Sequence, residues 1–342
     1  VRSEKMRNIY DLTIKELEDY FISINEKKFR AVQVYEALYK RRIKSFDDMT
    51  NISKEVREKL KQDFSFYKIK MLIKQQGKNV NKYLFELEDG NKIESVLMFH
   101  DYGTSICVSS QVGCNMTCAF CESGRLKKVR NLLAYEIVQQ ILQIEEDINK
   151  RITHVVLMGI GEPFDNYDNV LRFVKIINCG KGIDIGSRHI TISTCGVIPG
   201  IKKFMNEEGQ VNLAISLHAP NNTLRSRIMP INKAYPLNEL METIKEYINK
   251  TNRRVTFEYI MLDNINDSEE NAKELAALLK GINCYVNLIP YNETENIEFK
   301  RTKEWKIMKF YDILKKNKIN VTIRKEFGGS VDAACGQLRA NN

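Results

Sequence analysis

"VSSQVGCNMTCAFCESG", residues 108–124, places cysteines at 114, 118 and 121, three soft thiols within eight residues. Thiolates so grouped suit an iron–sulfur cluster or zinc. A structural zinc site wants a fourth Cys or His close by. The four histidines, at 100, 154, 189 and 218, show no zinc-finger spacing to the trio. Three thiolates on a four-iron cube leave one iron open, the mark of a catalytic rather than a structural centre. A cluster is the favoured reading; a zinc site and a chance grouping are the alternatives.

The same stretch begins at the end of an apolar run, "ICVSS", and that run is the first of seven. "HVVLMG", "HITIS", "VNLAIS", "VTFEYIML", "CYVNLIP" and "NVTIRK" follow it. Between several of them lie stretches with apolar residues at helical spacing: "AYEIVQQILQIEED", "YDNVLRFVKIIN", "LNELMETIKEYIN", "ENAKELAALLKG" and "TKEWKIMKFYDILKK". This alternation predicts parallel β/α units. Their number suits a partial or full barrel better than a short doubly wound sheet, and in barrels the chemistry sits at the C-terminal ends of the strands. Upstream the pattern differs. Residues 7–64 read as a small helical unit, rich in Lys and Arg. Residues 65–104 read as a β connector, with "NKYLFELEDGNKIESVLMF" alternating about an Asp89-Gly90 turn. Residues 105–342 form the α/β core.

The 342 residues suit one large domain with a smaller appendage. No run of about 18 apolar residues predicts a membrane span, and "VRSEKMRNIY" has no apolar core of a signal peptide. A cytoplasmic, monomeric protein is expected. Lys and Arg exceed Asp and Glu by 53 to 44, giving a net charge of +9, which suits a polyanionic partner such as nucleic acid. Of eight cysteines, those at 107 and 335 stand apart from the trio; Cys179, Cys195 and Cys284 read as small apolar filler.

Taken together, the motifs narrow the reading. Phe120 precedes the last cysteine of C-x3-C-x2-C. "VSSQVGCNMTCAFC", "MGIGEPFDN", "ITISTCGVIP", "AISLHAPN", "IMPIN", "NLIPYN" and "DAACGQL" follow in order. The chain resembles the RlmN/Cfr family of radical S-adenosylmethionine (SAM) RNA adenine methyltransferases over nearly its whole length. The resemblance implies an α/β fold: a partial (β/α)6 TIM-type barrel with a small N-terminal helical domain and a β connector. It implies a [4Fe-4S] cluster on Cys114, Cys118 and Cys121, with SAM on the open iron. It makes Gly161, Glu162, Ser193, Ser216, Leu217, His218 and Asn292 the expected SAM contacts. Cys335 would carry a methyl group taken from one SAM, and a second SAM would yield a 5′-deoxyadenosyl radical that activates it. Two SAM are thus used per turnover. The chemical reason is that an aromatic C–H carbon of adenine is a poor nucleophile, so polar methyl transfer fails. Cys107 is the implied second catalytic cysteine, ending in a disulfide with Cys335. Glu94 matches a family acid, and either it or Cys107 takes the ring proton.

The expected partners are 23S ribosomal RNA, with transfer RNA beside the anticodon as a further candidate, and an electron donor such as flavodoxin or ferredoxin. The expected product is methylation at C2; a Cfr-type C8 outcome, which gives antibiotic resistance, is the alternative. The non-enzymatic alternative is a zinc-stabilised RNA-binding module. "RLKKVR", 125–130, and Lys27, Lys28, Arg30, Lys40, Arg41 and Arg42 are candidate phosphate contacts, with the target base extruded from its stack. Glu122 after the last cysteine departs from the small or hydroxyl residue expected there.

Overall fold

The structure is a computed structural model and describes residues 6–294 and 296–324. Three helices open it: α1 (Ile14–Ser23), α2 (Phe29–Tyr39) and α3 (Lys54–Asp63). Thr13 starts α1 with a reciprocal cap, its hydroxyl accepting from the Glu16 amide while the Glu16 carboxylate accepts from the Thr13 amide. Tyr10, Tyr35 and Tyr39 are buried, and their rings meet edge to face. These helices share one continuous apolar core with the rest of the chain. They are also pinned to it by charge.

Four strands follow in hairpin succession: β1 (Lys70–Gly77), β2 (Val80–Glu86), β3 (Lys92–His100) and β4 (Gly103–Cys107). A short ladder, β5 (Gln111–Val112) with β6 (Arg130–Asn131), brackets the cysteine loop. Then come α4 (Ala134–Ile148), β7 (His154–Leu157), α5 (Tyr167–Asn178), β8 (Ile190–Thr194), α6 (Ile198–Phe204), β9 (Asn212–Ser216), α7 (Asn222–Ile228), α8 (Leu237–Thr251), β10 (Val255–Met261), α9 (Glu269–Leu279), β11 (Cys284–Pro290), α10 (Glu304–Lys316) and β12 (Val321–Ile323). Arg42, after α2, pairs with Glu145 on α4, and Arg172 on α5 bonds Glu16 on α1 at 2.5 Å.

The main sheet has ten strands in the order β1-β2-β3-β4-β7-β8-β9-β10-β11-β12. From β4 onward every neighbour is parallel. The seven apolar runs are therefore the seven parallel strands, joined by six helical crossovers, which is the expected partial (β/α)6 barrel. The antiparallel strands extend this sheet rather than standing apart from it. No helix among the described residues is long and apolar enough to cross a membrane.

Register decides what faces inward. Val96 pairs with Cys107, Cys107 with Val156, and Val156 with Thr191. Farther on, Ser216 pairs with Glu258, Glu258 with Asn287, and Asn287 with Thr322. Paired residues share a face. This face encloses a cavity of about 690 Å³ lined in part by Ser105, Thr191, Thr256, Glu258, Asn287 and Arg324. Aliphatic residues fill the opposite face, against the helices.

Candidate active site

The cysteine loop leaves β5 and doubles back to β6. Gly113, at φ +72°, makes the turn possible; a Cβ there would lie 2.1 Å from the Lys127 carbonyl. The Cys114 amide donates to the Leu126 carbonyl at 2.9 Å, and the Ala119 amide to the Ile228 carbonyl at the end of α7 at 2.9 Å. Cys118, Cys121 and Phe120 pack into an apolar cluster with Ile228, Met229 and Cys195. Burial pushes the Cys114 thiol up to about 12 and raises Cys118 and Cys121 as well. The thiols also feel one another's charge: Cys121 raises Cys114, and both raise Cys118. Such an environment disfavours the thiolate form, and a cationic group bound to the loop would stabilise it. Among the described residues no three His, Cys, Asp or Glu side chains converge tightly enough to hold a single metal ion.

Glu122 has a physical account here. It is 4% exposed, its carboxylate accepts from the Asn296 amide group at 3.3 Å, and Arg125 donates to the Asn296 carbonyl at 2.8 Å. The carboxylate ties the cysteine loop to the segment after β11, where Asn292 lies half-buried.

"GIGEP" follows β7. Gly161 takes φ +109°, and a Cβ there would lie 2.6 Å from Gln111 Cβ. The Gln111 side chain accepts from the Glu162 amide at 2.9 Å. Glu162 is buried; its two carboxylate oxygens accept from the amides of Phe164 at 2.9 Å and Cys195 at 2.8 Å. Burial raises its pKa, and those backbone donors oppose the rise. The side chains of Cys195 and Thr194 also bond the carboxylate.

Ser193 and Ser216 lie at the C-terminal ends of β8 and β9 on the cavity face. His218 follows at φ +57°. It is buried, its Nδ1 accepts from the Ile260 amide at 3.0 Å, and Phe120 meets its ring edge-on at 4.9 Å. Burial and then the Arg225 charge depress its pKa to about 3, so it is neutral with its proton on Nε2. Leu217 is the exception: its side chain belongs to the main apolar core, and only its backbone meets the site.

Glu94, on β3, is 3% exposed and pairs with Lys82 on β2 at 2.9 Å. Two residues on, Val96 pairs with both Lys82 and Cys107, so Glu94, Lys82 and Cys107 share the cavity face. Cys335 lies outside the described residues. Four residues of this region escaped sequence reading. Lys82, Glu258 and Asn287 are polar residues at inward positions of apolar strands, a period-2 signal that was present. Glu258 is 4% exposed, accepts from Asn287 at 3.0 Å, and its other oxygen has no hydrogen-bond partner among the described residues. Cys195, read as filler, bonds the Glu162 carboxylate.

The basic residues are less free than their sequence suggests. Arg130 is held by Glu136 and Asp89, Lys128 by Asp165 at 2.7 Å, and Arg125 by Asn296. In the helical unit Lys28 pairs with Glu18, Arg30 with Glu26 and Lys40 with Glu36. Such exposed pairs are weak, and phosphates compete for them readily.

Residues 7–65 match the model of the ribosomal RNA large subunit methyltransferase N-terminal domain, and residues 108–276 that of the radical SAM superfamily. A curated protein of Spiroplasma citri, "Probable dual-specificity RNA methyltransferase RlmN", is 54% identical over 98% of both chains. A protein of the same name from Enterococcus faecalis is 54% identical over 97% of this chain and 96% of its own. The crystal structure of a radical SAM methyltransferase from Sphaerobacter thermophilus superposes with a TM-score of 0.93 at 40% identity, covering 98% of this chain and 100% of that one. With its barrel, its cysteine loop and relatives this similar along nearly its full length, the chain belongs to the RlmN family of radical SAM RNA methyltransferases.

Proposed function

We propose that the chain methylates C2 of an adenosine in 23S ribosomal RNA, and an adenosine beside the anticodon of transfer RNA. The observation that carries the reading is the single inward sheet face shared by Glu94, Cys107, Ser193 and Ser216, beside a loop of three thiols, one buried and two half-buried. The relatives' printed name, with its dual specificity, supports two RNA classes.

Cys114, Cys118 and Cys121 would hold the [4Fe-4S] cluster, which when bound would supply the electron for reductive cleavage of SAM. Gly161 gives the SAM methionine moiety close approach to backbone, and Glu162 offers its ammonium group a carboxylate in a dry pocket. His218 presents an Nε2–H donor, its tautomer fixed by the Ile260 amide. Ser193, Ser216 and Asn292 supply hydroxyl and amide partners at the strand ends. Cys335 accepts a methyl group as a thiolate nucleophile, and its activated methyl carbon joins the adenine ring. The ring radical so formed gives up its proton to Cys107 or Glu94 and its unpaired electron to the oxidised form of the external one-electron carrier. The Cys107 sulfur then attacks the Cys335 sulfur: an S–S bond forms, the C–S bond to the base breaks, and the electron pair left on carbon takes a proton. Lys82 pairs with the Glu94 carboxylate on the same sheet face as Cys107. An external one-electron donor of flavodoxin or ferredoxin type, a monomeric state and a cytoplasmic location belong to the same reading.

Anaerobic reconstitution with iron and sulfide tests it. About four irons with matching sulfide per chain, and 5′-deoxyadenosine formed from SAM with reductant and RNA, are expected. One zinc without sulfide, and no 5′-deoxyadenosine, would replace it with an RNA-binding module.

A further inference from the structure

Arg225, on α7, is 0% exposed and is among the largest fully buried side chains. Its guanidinium makes four hydrogen bonds: Nη2 donates to the carbonyls of Cys195 at 2.6 Å and Ser216 at 3.2 Å, Nε to the Leu217 carbonyl at 3.2 Å, and Nη1 to Asn232 Oδ1 at 3.0 Å. Every acceptor is neutral. Among the described residues no carboxylate contacts it. Glu162 bonds the Cys195 residue, through its amide and its thiol, rather than Arg225 itself. A buried charge without a counter-ion is costly and is kept only where something offsets it. The apolar cluster under α7 gives that something a place: Cys118 and Cys121 pack against Ile228 and Met229, and the cysteine loop bonds the Ile228 carbonyl. The ionisable groups that face Arg225 are the thiols of Cys118 and Cys195 and the ring of His218.

We propose that Arg225 is a positioning residue that supplies the counter-charge for the thiolate-bound cluster and raises its reduction potential, while its fork clamps the ends of β8 and β9 beside the SAM contacts. The inference rests on the reading of Cys114, Cys118 and Cys121 as cluster ligands. Reduction adds one negative charge to a centre already carrying thiolates. A fixed positive charge in a low-dielectric surrounding stabilises the reduced form more than the oxidised form. Only a planar fork reaches carbonyls on two strand ends at once, so lysine keeps the charge and loses the clamp.

The test compares wild type, Arg225→Met and Arg225→Lys as reconstituted holoenzymes, by redox titration followed by electron paramagnetic resonance, with and without SAM. Iron and sulfide are measured on each. The Met variant is expected to show a more negative midpoint potential without SAM present, and the Lys variant a value near wild type with weakened SAM affinity. An unmoved potential in a fully loaded Met variant would overturn the proposal. So would equal shifts in Met and Lys, or a shift seen only with SAM, which would place the charge on the methionine carboxylate instead. If the Met variant does not fold, the Lys variant decides: a shifted potential despite retained charge overturns the proposal, and a wild-type potential supports it. Wild type without iron and sulfide would instead sink the cluster reading itself.

Discussion

Replacing Gly161 by alanine tests how the proposed SAM-binding loop is built. The backbone there has φ +109°, a region in which an L-residue carries a strain of about 1–2 kcal/mol. The added Cβ would also lie 2.6 Å from Gln111 Cβ and 2.9 Å from the Gln111 amide nitrogen, so Gln111 must move. Its side chain is fully buried, accepts from the Glu162 amide, and donates to Asn131 at 2.8 Å and Asp165 at 2.9 Å. Leaving the Glu162 amide without its acceptor costs about 1–3 kcal/mol. The sum is about 2–5 kcal/mol of stability. Displacement of the Glu162 carboxylate would remove the proposed contact to a charged ligand, worth about 1.5–3 kcal/mol, or one to two decades in SAM affinity. Denaturant unfolding and SAM titration calorimetry read the two effects. Gly209→Ala is the control: φ is +117° but no atom lies within 4 Å of the added Cβ, so only the strain remains. If Gly161→Ala costs no more than Gly209→Ala and binds SAM normally, the close-packing argument is wrong.

Glu162→Gln should weaken SAM binding by about one to two decades while iron and sulfide content stay at wild-type levels; loss of the cluster would show that Glu162 supports the loop instead. Cys107→Ala should accumulate a covalent protein–RNA adduct on a denaturing gel, whereas Cys335→Ala should form none; normal turnover by both would refute the two-cysteine route. The Glu16 bridge to Arg172 carries a pH dependence. Burial opposes ionisation of Glu16, but bonds from Arg172, Thr13 and Arg7 outweigh it and hold its pKa down to about 2. A depressed carboxylate stabilises the folded state above its unfolded pKa of about 4.3, and the gain fades as pH falls toward 2. The stability difference between wild type and Glu16→Gln should therefore shrink from pH 6 to pH 3; a difference that grows in acid would reverse the assignment.

The barrel was legible because each of its parallel strands is buried on a face of aliphatic residues, so each reads as an apolar run. Helices α6 and α7 were not, since seven residues make two turns, too few for a period to emerge. The β1–β2 hairpin turns at Lys78-Asn79, with Asn79 at φ +60°, and lacks the Asp-Gly pair that marked the β2–β3 turn. The site was legible where chemistry is local, as in the C-x3-C-x2-C loop and the glycine of "GIGEP". It was hidden where function depends on what the fold encloses. Arg225 in "NNTLRSRIMPIN" looks like any surface cation, and nothing in its neighbours reports that carbonyls from two strand ends converge on it. The converse holds for "RLKKVR": the partners that engage Lys128 and Arg130 are Asp165, Asp89 and Glu136. Two of these lie more than thirty residues away in the chain, beyond the reach of local pattern.

Carbon-centred methylation of adenine is the central claim, and nucleoside mass spectrometry measures it directly. The reconstituted enzyme, with reductant and SAM, is incubated with an unmodified 23S ribosomal RNA fragment and with transfer RNA, and both are digested to nucleosides. The account predicts 2-methyladenosine, absent when Cys335 is replaced by alanine. 8-Methyladenosine as the main product would contradict the choice of ring carbon, and methylation confined to the exocyclic nitrogen would contradict the radical route altogether.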